Sequence, residues 1–386
     1  MENGPVYLDS HATTPVDPRV LEAMLPYFSE QFGNASSKNH GYGNDAHSAV
    51  ENSRAQLAKA ISARDSEIIF TSGATESINL AIKGLAHSAP ENKNHLITVV
   101  TEHKAVLDCH EFLESDGYKV TYLPVDSQGI LNLDQLEETI TSDTLLVSVM
   151  HANNEIGVIQ DINGIGNICK EADVRFFTDA TQTLGKLPID VQKDNIHMLA
   201  ASAHKVYGPK GVGMLYLRRS NPRVKPDPVQ HGGGHERGYR SGTLNVPGIV
   251  GFGKAVEIAR KEAKKENEYL QKLRNSFQNR LLKEIREAKV NGHLEKRLAH
   301  NLNIVLPGVS AEALMIALKD TVACSSGSAC TTHAVLPSHV LSALGLCEDD
   351  IESSLRFGLC RNQSEEGLEN TANDILEKYK KLNSFT

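Results

Sequence analysis

FFTDATQTLGKLPIDVQKDNIHMLAASAHKVYGPKGVG, residues 176–213, is the stretch whose reading decides the fold. It runs through three apolar segments of strand length, 174–178, 197–202 and 212–217, each ending near a polar group or turn. Asp179 and Gln182 close the first segment, and Ser202, His204 and Lys205 follow the second. Gly208, Pro209, Gly211 and Gly213 come at once after them. A lysine just beyond a buried strand and inside a glycine-bearing turn can have its amine partly desolvated, which lowers its pKa and makes it a nucleophile and base. That is the chemistry of a Schiff-base lysine. The alternative for Lys205 is a solvated loop side chain.

Composition bounds what such a site can belong to. The chain has 386 residues, 40% of them hydrophobic, with no low-complexity tract, enough for two packed domains and a large core. A formal net charge of -8 offers no basic footprint for direct nucleic-acid binding. Six cysteines, Cys109, Cys169, Cys324, Cys330, Cys347 and Cys360, lie scattered without the C-x-x-C spacing of a metal site, so no metal ligands are assigned. With no secretory signal in MENGPVYLDS and no apolar run long enough for a bilayer, they read as reduced thiols of a cytoplasmic protein with no membrane partner.

Toward the N-terminus, YLDSHATT (7–14) is a short apolar start and a polar turn, and Pro15 and Pro18 predict a helix over 19–28. FGNASSKNHGYG (32–43) is too polar for regular structure and contains Asn34. From residue 68, strand and helix alternate. In IIFTSGATESINLAIKGLA the turn puts Gly73, Ala74 and Thr75 at the start of a helix, where free N–H groups and the dipole favour a phosphate. Ser72 or Thr75 could instead simply cap that helix. In HLITVVTEHKAVLD a strand runs into a helix with His103 at the junction, placed to stack on a ring and move protons or else to cap. Strands over 119–123 and 145–150 flank a helix over 133–139. They lead to HANNEIG (151–157), where Asn153 can bond a ring oxygen or a substrate carboxylate and Asn154 and Glu155 hold the loop. This alternation predicts an α/β fold whose parallel, doubly covered sheet gathers its polar strand ends on one edge.

Beyond Arg218, QHGGGHERGYRSGTLNVPG (230–248) is long and glycine-rich, with no hydrophobic period, as functional ordered loops are. Residues 249–285 carry apolar positions at helical spacing, one long helix or two shorter ones. After them come a strand over 301–306, a helix over 311–318, a strand over 355–359 and a final amphipathic helix ending near Lys381. ACSSGSACTTHAVLP (323–337) places Cys330 after a Ser/Gly run, a poor place to bury a thiol, whereas Cys324 ends an apolar run as a buried cysteine does. Arg356 sits on an apolar strand, where a substrate carboxylate or a structural Asp or Glu would pair its planar guanidinium.

An aspartate such as Asp179 at a strand end is what a pyridinium nitrogen requires. DATQ at Asp179 and SAHK ending in Lys205 resemble the pyridoxal phosphate site of the cysteine desulfurases, the NifS-like and IscS-like enzymes of the class V aminotransferase family. The ordered set SGATE, TEHK, NNEIG, DATQ, SAHK, HGGGHERG, RSGT and SSGSAC carries that resemblance along nearly the whole chain. It implies fold type I, a large domain (16–258) with a mainly parallel seven-stranded sheet covered by helices. A smaller α+β domain (1–15 and 259–386) carries a mobile catalytic-cysteine loop. It implies Lys205, Cys330 and His103 as catalytic residues, with Ala74, Thr75, His103, Asn153, Asp179, Gln182, Ser202, His204, Lys205 and Thr243 around pyridoxal 5'-phosphate. Asn34, Asn153 and Arg356 would meet L-cysteine, and Thr243 would reach the cofactor of the other subunit in a homodimer.

The implied reaction turns L-cysteine into L-alanine and leaves a persulfide on Cys330 for a sulfur-acceptor protein. Iron-sulfur assembly, tRNA thiolation and DNA sulfur modification are all open as destinations. His11 and Cys360 occupy variable-looking slots, and the chain stops at Thr386 without the longer tail by which housekeeping members dock an iron-sulfur scaffold. A selenocysteine lyase or another fold-type-I enzyme would share Lys205 and Asp179 without needing a mobile Cys330. A non-catalytic binding protein on the same scaffold would take up no cofactor colour.

Overall fold

The computed structural model describes residues 4–326 and 337–384. After β1 (Val6–Tyr7), the strands β2 (Ile68–Thr71), β3 (His95–Val99), β4 (Lys119–Leu123), β5 (Thr144–Ser148), β6 (Arg175–Asp179), β7 (Met198–Ser202) and β8 (Gly213–Leu217) follow. β2 to β8 form a seven-stranded sheet in the order β2-β8-β7-β6-β5-β3-β4. β3, β5, β7 and β8 are buried at every position, which is why they are mostly apolar: helices cover both faces. The edge strand β4 is the exception, with Lys119 exposed.

The sheet is parallel except at β8, which runs antiparallel to both β2 and β7. Ser202 pairs with Gly213, so the chain between β7 and β8 is a closed return over the carboxyl end of the parallel strands. Lys205 sits in that return, in the 3-10 turn Ala203–Lys205. Gly213 is required by close approach, because a Cβ there would come within 2.6 Å of the Gly73 Cα.

A second core gathers on β9 (Lys289–Val290), β10 (Asn301–Val305), β11 (Val322–Ala323) and β12 (Ser354–Gly358). β12-β10-β9 form an antiparallel sheet, and β1 pairs with β11 in parallel. The N-terminal strand is thereby stitched to the C-terminal part of the chain. Leu8, fully buried among Leu302, Ile304 and Phe357, adds about 2 kcal/mol of apolar transfer there. The helix Val246–Glu284 joins the two cores: its buried residues up to Ala259 pack under the large sheet, and those from Leu270 pack in the second core.

The helix expected over 19–28 is broken. Pro18–Met24 and Pro26–Ser29 are separate, because Pro26 has no amide hydrogen and its ring obstructs the carbonyl four residues back. Among the described residues no helix is long and apolar enough to cross a membrane.

Candidate active site

The carboxyl ends of β2, β3, β6 and β7 and the turn after β7 enclose a cavity of about 610 Å³. Lys205 lies on its wall. Its Nζ donates to the carbonyl oxygens of His11 and, at 2.7 Å, Ala12. The N-terminal turn is tied to the lysine turn by further bonds: Thr14 Oγ1 donates to the His204 carbonyl at 2.9 Å and accepts from the Tyr207 amide at 2.8 Å. The amine is therefore set by two backbone segments almost two hundred residues apart in sequence.

Asp179, 6% exposed at the end of β6, faces the same cavity and accepts the Thr181 amide at 2.9 Å through Oδ1. His103 stands at the junction of β3 and the helix that follows. It caps the helix Lys104–Ser115, its Nδ1 accepting from the Ala105 amide at 3.1 Å, and its ring lines the cavity. Burial lowers its pKa, with Lys205 acting in the same sense and Asp179 against it, so the ring is a neutral imidazole with its proton on Nε2. His204 is pulled down to about 4, first by burial and then by Lys205, while its Nδ1 meets Thr13 Oγ1 at 3.1 Å.

Ala74 and Thr75 open the helix Ala74–His87, whose N-cap Gly73 brings no side-chain bond to the first amides. A Cβ built on Gly73 would stand in open cavity space, 4.0 Å from the Ser202 hydroxyl. The helix start and Ser202 thus face each other across room for an anionic group. Gln182, 4% exposed, also lines the cavity. Arg356 on β12 reaches the wall too: Nη2 pairs with Asp9 at 2.8 Å, Nη1 donates to the Asn154 carbonyl at 3.2 Å, and Nε finds no partner among the described residues. The structural pairing foreseen for this arginine is present, and the buried Nε–H is the group left over among the described residues.

Three expected site residues stand elsewhere. Asn153 does not reach the cavity, because its Oδ1 accepts from the Glu155 and Ile156 amides at 2.7 and 2.9 Å and its Nδ2 donates to the Thr101 carbonyl at 2.8 Å. Its neighbour Asn154 lines the cavity instead. Asn34 is exposed, its Oδ1 accepting from the Ser36 amide at 2.9 Å, and it is outside this chain's cavity. Thr243 is also exposed and outside it, on a segment anchored by Glu236 to Arg54 at 2.7 Å and by Arg240 to Glu76 at 2.8 Å. Cys330 lies outside the described residues. Described residues on either side of it are tied down: Ser325 pairs its backbone with Arg356, Ser338 Oγ donates to Glu155 Oε2 at 2.6 Å, and His339 Nε2 meets the Glu102 carbonyl at 3.0 Å.

His11 was passed over in the sequence and is central in the structure, 1% exposed and bonded to Gln182. Cys324 has its thiol pushed up to about 12 by burial, as a structural cysteine does. Among the described residues no group of three or more His, Cys, Asp or Glu is placed to hold a metal ion.

Comparison with known proteins gives the arrangement a family. The aminotransferase class-V family model matches residues 6–371. Cysteine desulfurase IscS of Anaeromyxobacter sp. (strain Fw109-5) is 52% identical over 382 residues, covering 99% of this chain and 94% of that protein. Among solved structures, a NifS-like protein superposes with a TM-score of 0.90 at 38% identity, over 97% of this chain and 98% of its own. SspA in complex with cysteine superposes at 0.81 with 40% identity, over 93% of this chain and 100% of its own. Similarity of that depth, end to end, settles the lineage: the chain belongs to the class-V aminotransferase family of pyridoxal phosphate enzymes, in the branch of the cysteine desulfurases.

Proposed function

We propose that this chain takes L-cysteine to L-alanine, with Lys205 as the cofactor-linked base and Cys330 as the sulfur acceptor. The observation that carries the site assignment is the convergence of Lys205, Asp179, His103 and the start of the helix Ala74–His87 on one cavity. These residues fit pyridoxal phosphate. The phosphate would lie between the amides of Ala74 and Thr75 and the hydroxyl of Ser202, where the space over Gly73 is open. Asp179 would pair with the ring nitrogen, His103 would lie against the ring, and Gln182, His204 and Asn154 would complete the holder. When bound, this cofactor supplies an aldehyde that an amine can join and a cationic ring that accepts the electron pair left by a departing Cα proton.

Each protein group then has a task. The carbonyls of His11 and Ala12 hold the Lys205 amine at the wall, from where it takes the Cα proton of the substrate. Arg356 would receive the substrate carboxylate in competition with Asp9. The Cys330 thiolate forms an S–S bond to the substrate sulfur as the Cβ–S bond breaks, and that bond's electron pair stays with the carbon skeleton that leaves, once protonated, as alanine. At its ordinary pKa of about 8.5 only a few per cent of a thiol is ionised at neutral pH, so the thiol needs a base, and His103 can serve as one once its Nδ1 gives up the Ala105 amide. Ser326 lies four residues before Cys330, and a four-residue chain spans at most about 14 Å. Since Ser325 is paired with Arg356 at the cavity wall, the segment that carries Cys330 starts beside the site.

The division into a large domain (16–258) and a small one (1–15 and 259–386) follows from the two cores. The exposed, anchored segment around Thr243 supports a homodimer in which that threonine serves the partner's cavity, and the unpaired thiols among the described residues suit the cytoplasm. The persulfide would pass to an acceptor protein. The test is direct: with added pyridoxal phosphate, L-cysteine and a thiol reductant that discharges the persulfide, alanine and sulfide form in equal amounts, and borohydride fixes a pyridoxyl group on Lys205. Lys205→Ala abolishes the linkage, and Cys330→Ala keeps the visible absorbance but yields no sulfide. Full activity of Cys330→Ala overturns the role of the thiol.

A further inference from the structure

His11 lines the cavity, yet its ring is enclosed by protein on every side that has been described. Nδ1 meets Oε1 of Gln182 at 3.1 Å, and Nε2 meets Nδ2 of Asn301 at 3.1 Å. The partners decide which ring nitrogen carries the proton. Asn301 Nδ2 also donates to the Glu155 carbonyl at 3.0 Å, so that atom is the amide nitrogen and can only donate. Nε2 of His11 is therefore the acceptor, and the proton stands on Nδ1, directed at Gln182 Oε1.

Gln182 closes the clasp by donating through Nε2 to the carbonyl oxygen of His11 at 3.1 Å. That same carbonyl accepts from the Lys205 amine. One residue therefore holds both the amine and the amide, and Gln182 keeps a second N–H for the cavity it lines. The arrangement has space made for it: a Cβ on Gly358 would come within 2.8 Å of His11 Cδ2, and one on Gly157 within 2.4 Å of Asn301 Cγ. His300 stacks on the ring with centroids 4.5 Å apart. Burial first, then the cations Arg356, Lys186 and Lys205 that face the ring, keep the imidazole uncharged, with Gln182 acting against them.

We propose that His11 is a positioning residue: its Nδ1–H fixes the orientation of the Gln182 carboxamide so that the remaining Gln182 N–H is given to the ring oxygen of bound pyridoxal phosphate. A flipped carboxamide would turn an acceptor toward that oxygen. The inference rests on the reading of Gln182 and Lys205 as cofactor-holding residues.

A donor to an oxyanion favours the unprotonated form, so losing it raises the pH at which the cofactor's visible absorbance changes. The experiment titrates that absorbance in the full-length holoenzyme, without substrate. His11→Phe keeps a ring against His300 and loses both bonds, and its midpoint rises by about one pH unit, tenfold in proton affinity. His11→Asn puts an amide N–H near the place of Nδ1 and keeps the wild-type midpoint. In a Gln182→Ala background the His11→Phe shift disappears, because the effect travels through Gln182. His11→Ala, which adds no bulk beside Gly358, replaces the Phe variant if that does not fold. A wild-type midpoint in His11→Phe, or a shift that persists undiminished without Gln182, overturns the proposal. A wild-type chain that takes up no pyridoxal phosphate sinks the reading of the site itself, which is a different result.

Discussion

Arg356 and Asp9 form an ion pair at 2.8 Å on the cavity wall, with the guanidinium side chain 2% exposed and the carboxylate 20% exposed. A substrate carboxylate therefore meets an arginine already half engaged. Arg356→Lys keeps the charge but loses the planar fork, and it should raise KM for L-cysteine about tenfold with a smaller change in kcat. Asp9→Asn removes the competing anion and should lower KM. Steady-state kinetics on L-cysteine check both, and an unchanged KM in Arg356→Lys removes this arginine from substrate binding.

The two asparagines of the HANNEIG turn have different surroundings, Asn153 bonded within the turn and Asn154 on the cavity wall. Asn153 is 2% exposed and closes the turn with three hydrogen bonds, so Asn153→Ala should cost roughly 2–3 kcal/mol of stability. Asn154→Ala changes little of the packing, about 0.5 kcal/mol, and should weaken pyridoxal phosphate binding about tenfold. Denaturant titration beside cofactor titration distinguishes the two. A large loss of stability in Asn154→Ala with normal cofactor affinity would reverse the assignment.

What could be read from the residues alone follows from the range of the forces involved. β3, β5 and β7 were legible because strands buried on both faces are mostly apolar, and the place of Lys205 on the cavity wall was legible from the polar cluster at such a strand's end. The antiparallel direction of β8 was not, since strand periodicity is the same either way. Asn153 and Asn154 are adjacent and chemically identical, and only the backbone decides which of them turns inward. His11 was hidden for another reason: its partners Gln182 and Asn301 are 171 and 290 residues away, and a polar turn carries no period to announce them.

Glu236 anchors the glycine-rich segment to the large sheet. Both of its oxygens bond the Arg54 guanidinium, at 2.8 and 2.7 Å, and one also accepts the Phe70 amide at 2.7 Å. The two side chains are only 3% and 2% exposed. Removing one partner strands the other's charge, so Glu236→Ala or Arg54→Ala should cost about 3–5 kcal/mol. The double variant should cost clearly less than the sum, because neither charge is then left alone. Since the same segment carries Thr243, either single variant should also weaken cofactor binding in the assembled enzyme. Additive losses in urea unfolding would mean that the pair contributes through packing rather than charge.

Glu155 gives the fold a pH dependence of definite sign. Burial pushes its carboxyl from 4.5 up to about 7, against the Ser338 hydrogen bond and the Arg356 charge, which favour ionisation. Below pH 4.5 the folded and unfolded chains both hold the proton; between there and about 7 the folded chain alone holds it, so stability falls as the pH climbs through this window. Above it the ionised carboxylate costs about 3 kcal/mol, from a rise of roughly two and a half pH units. Glu155→Gln cannot ionise and keeps an oxygen for the Ser338 hydroxyl. The stability of Glu155→Gln minus that of the wild type should therefore be near zero at pH 4.5 and grow to about 3 kcal/mol by pH 8. Because Ser338 stands at the C-terminal root of the segment that holds Cys330, the variant should also flatten the acid side of the pH–rate profile on L-cysteine. A difference that stays constant from pH 4.5 to 8 would mean that Glu155 titrates alike in the folded and unfolded chains, and that its burial carries no penalty.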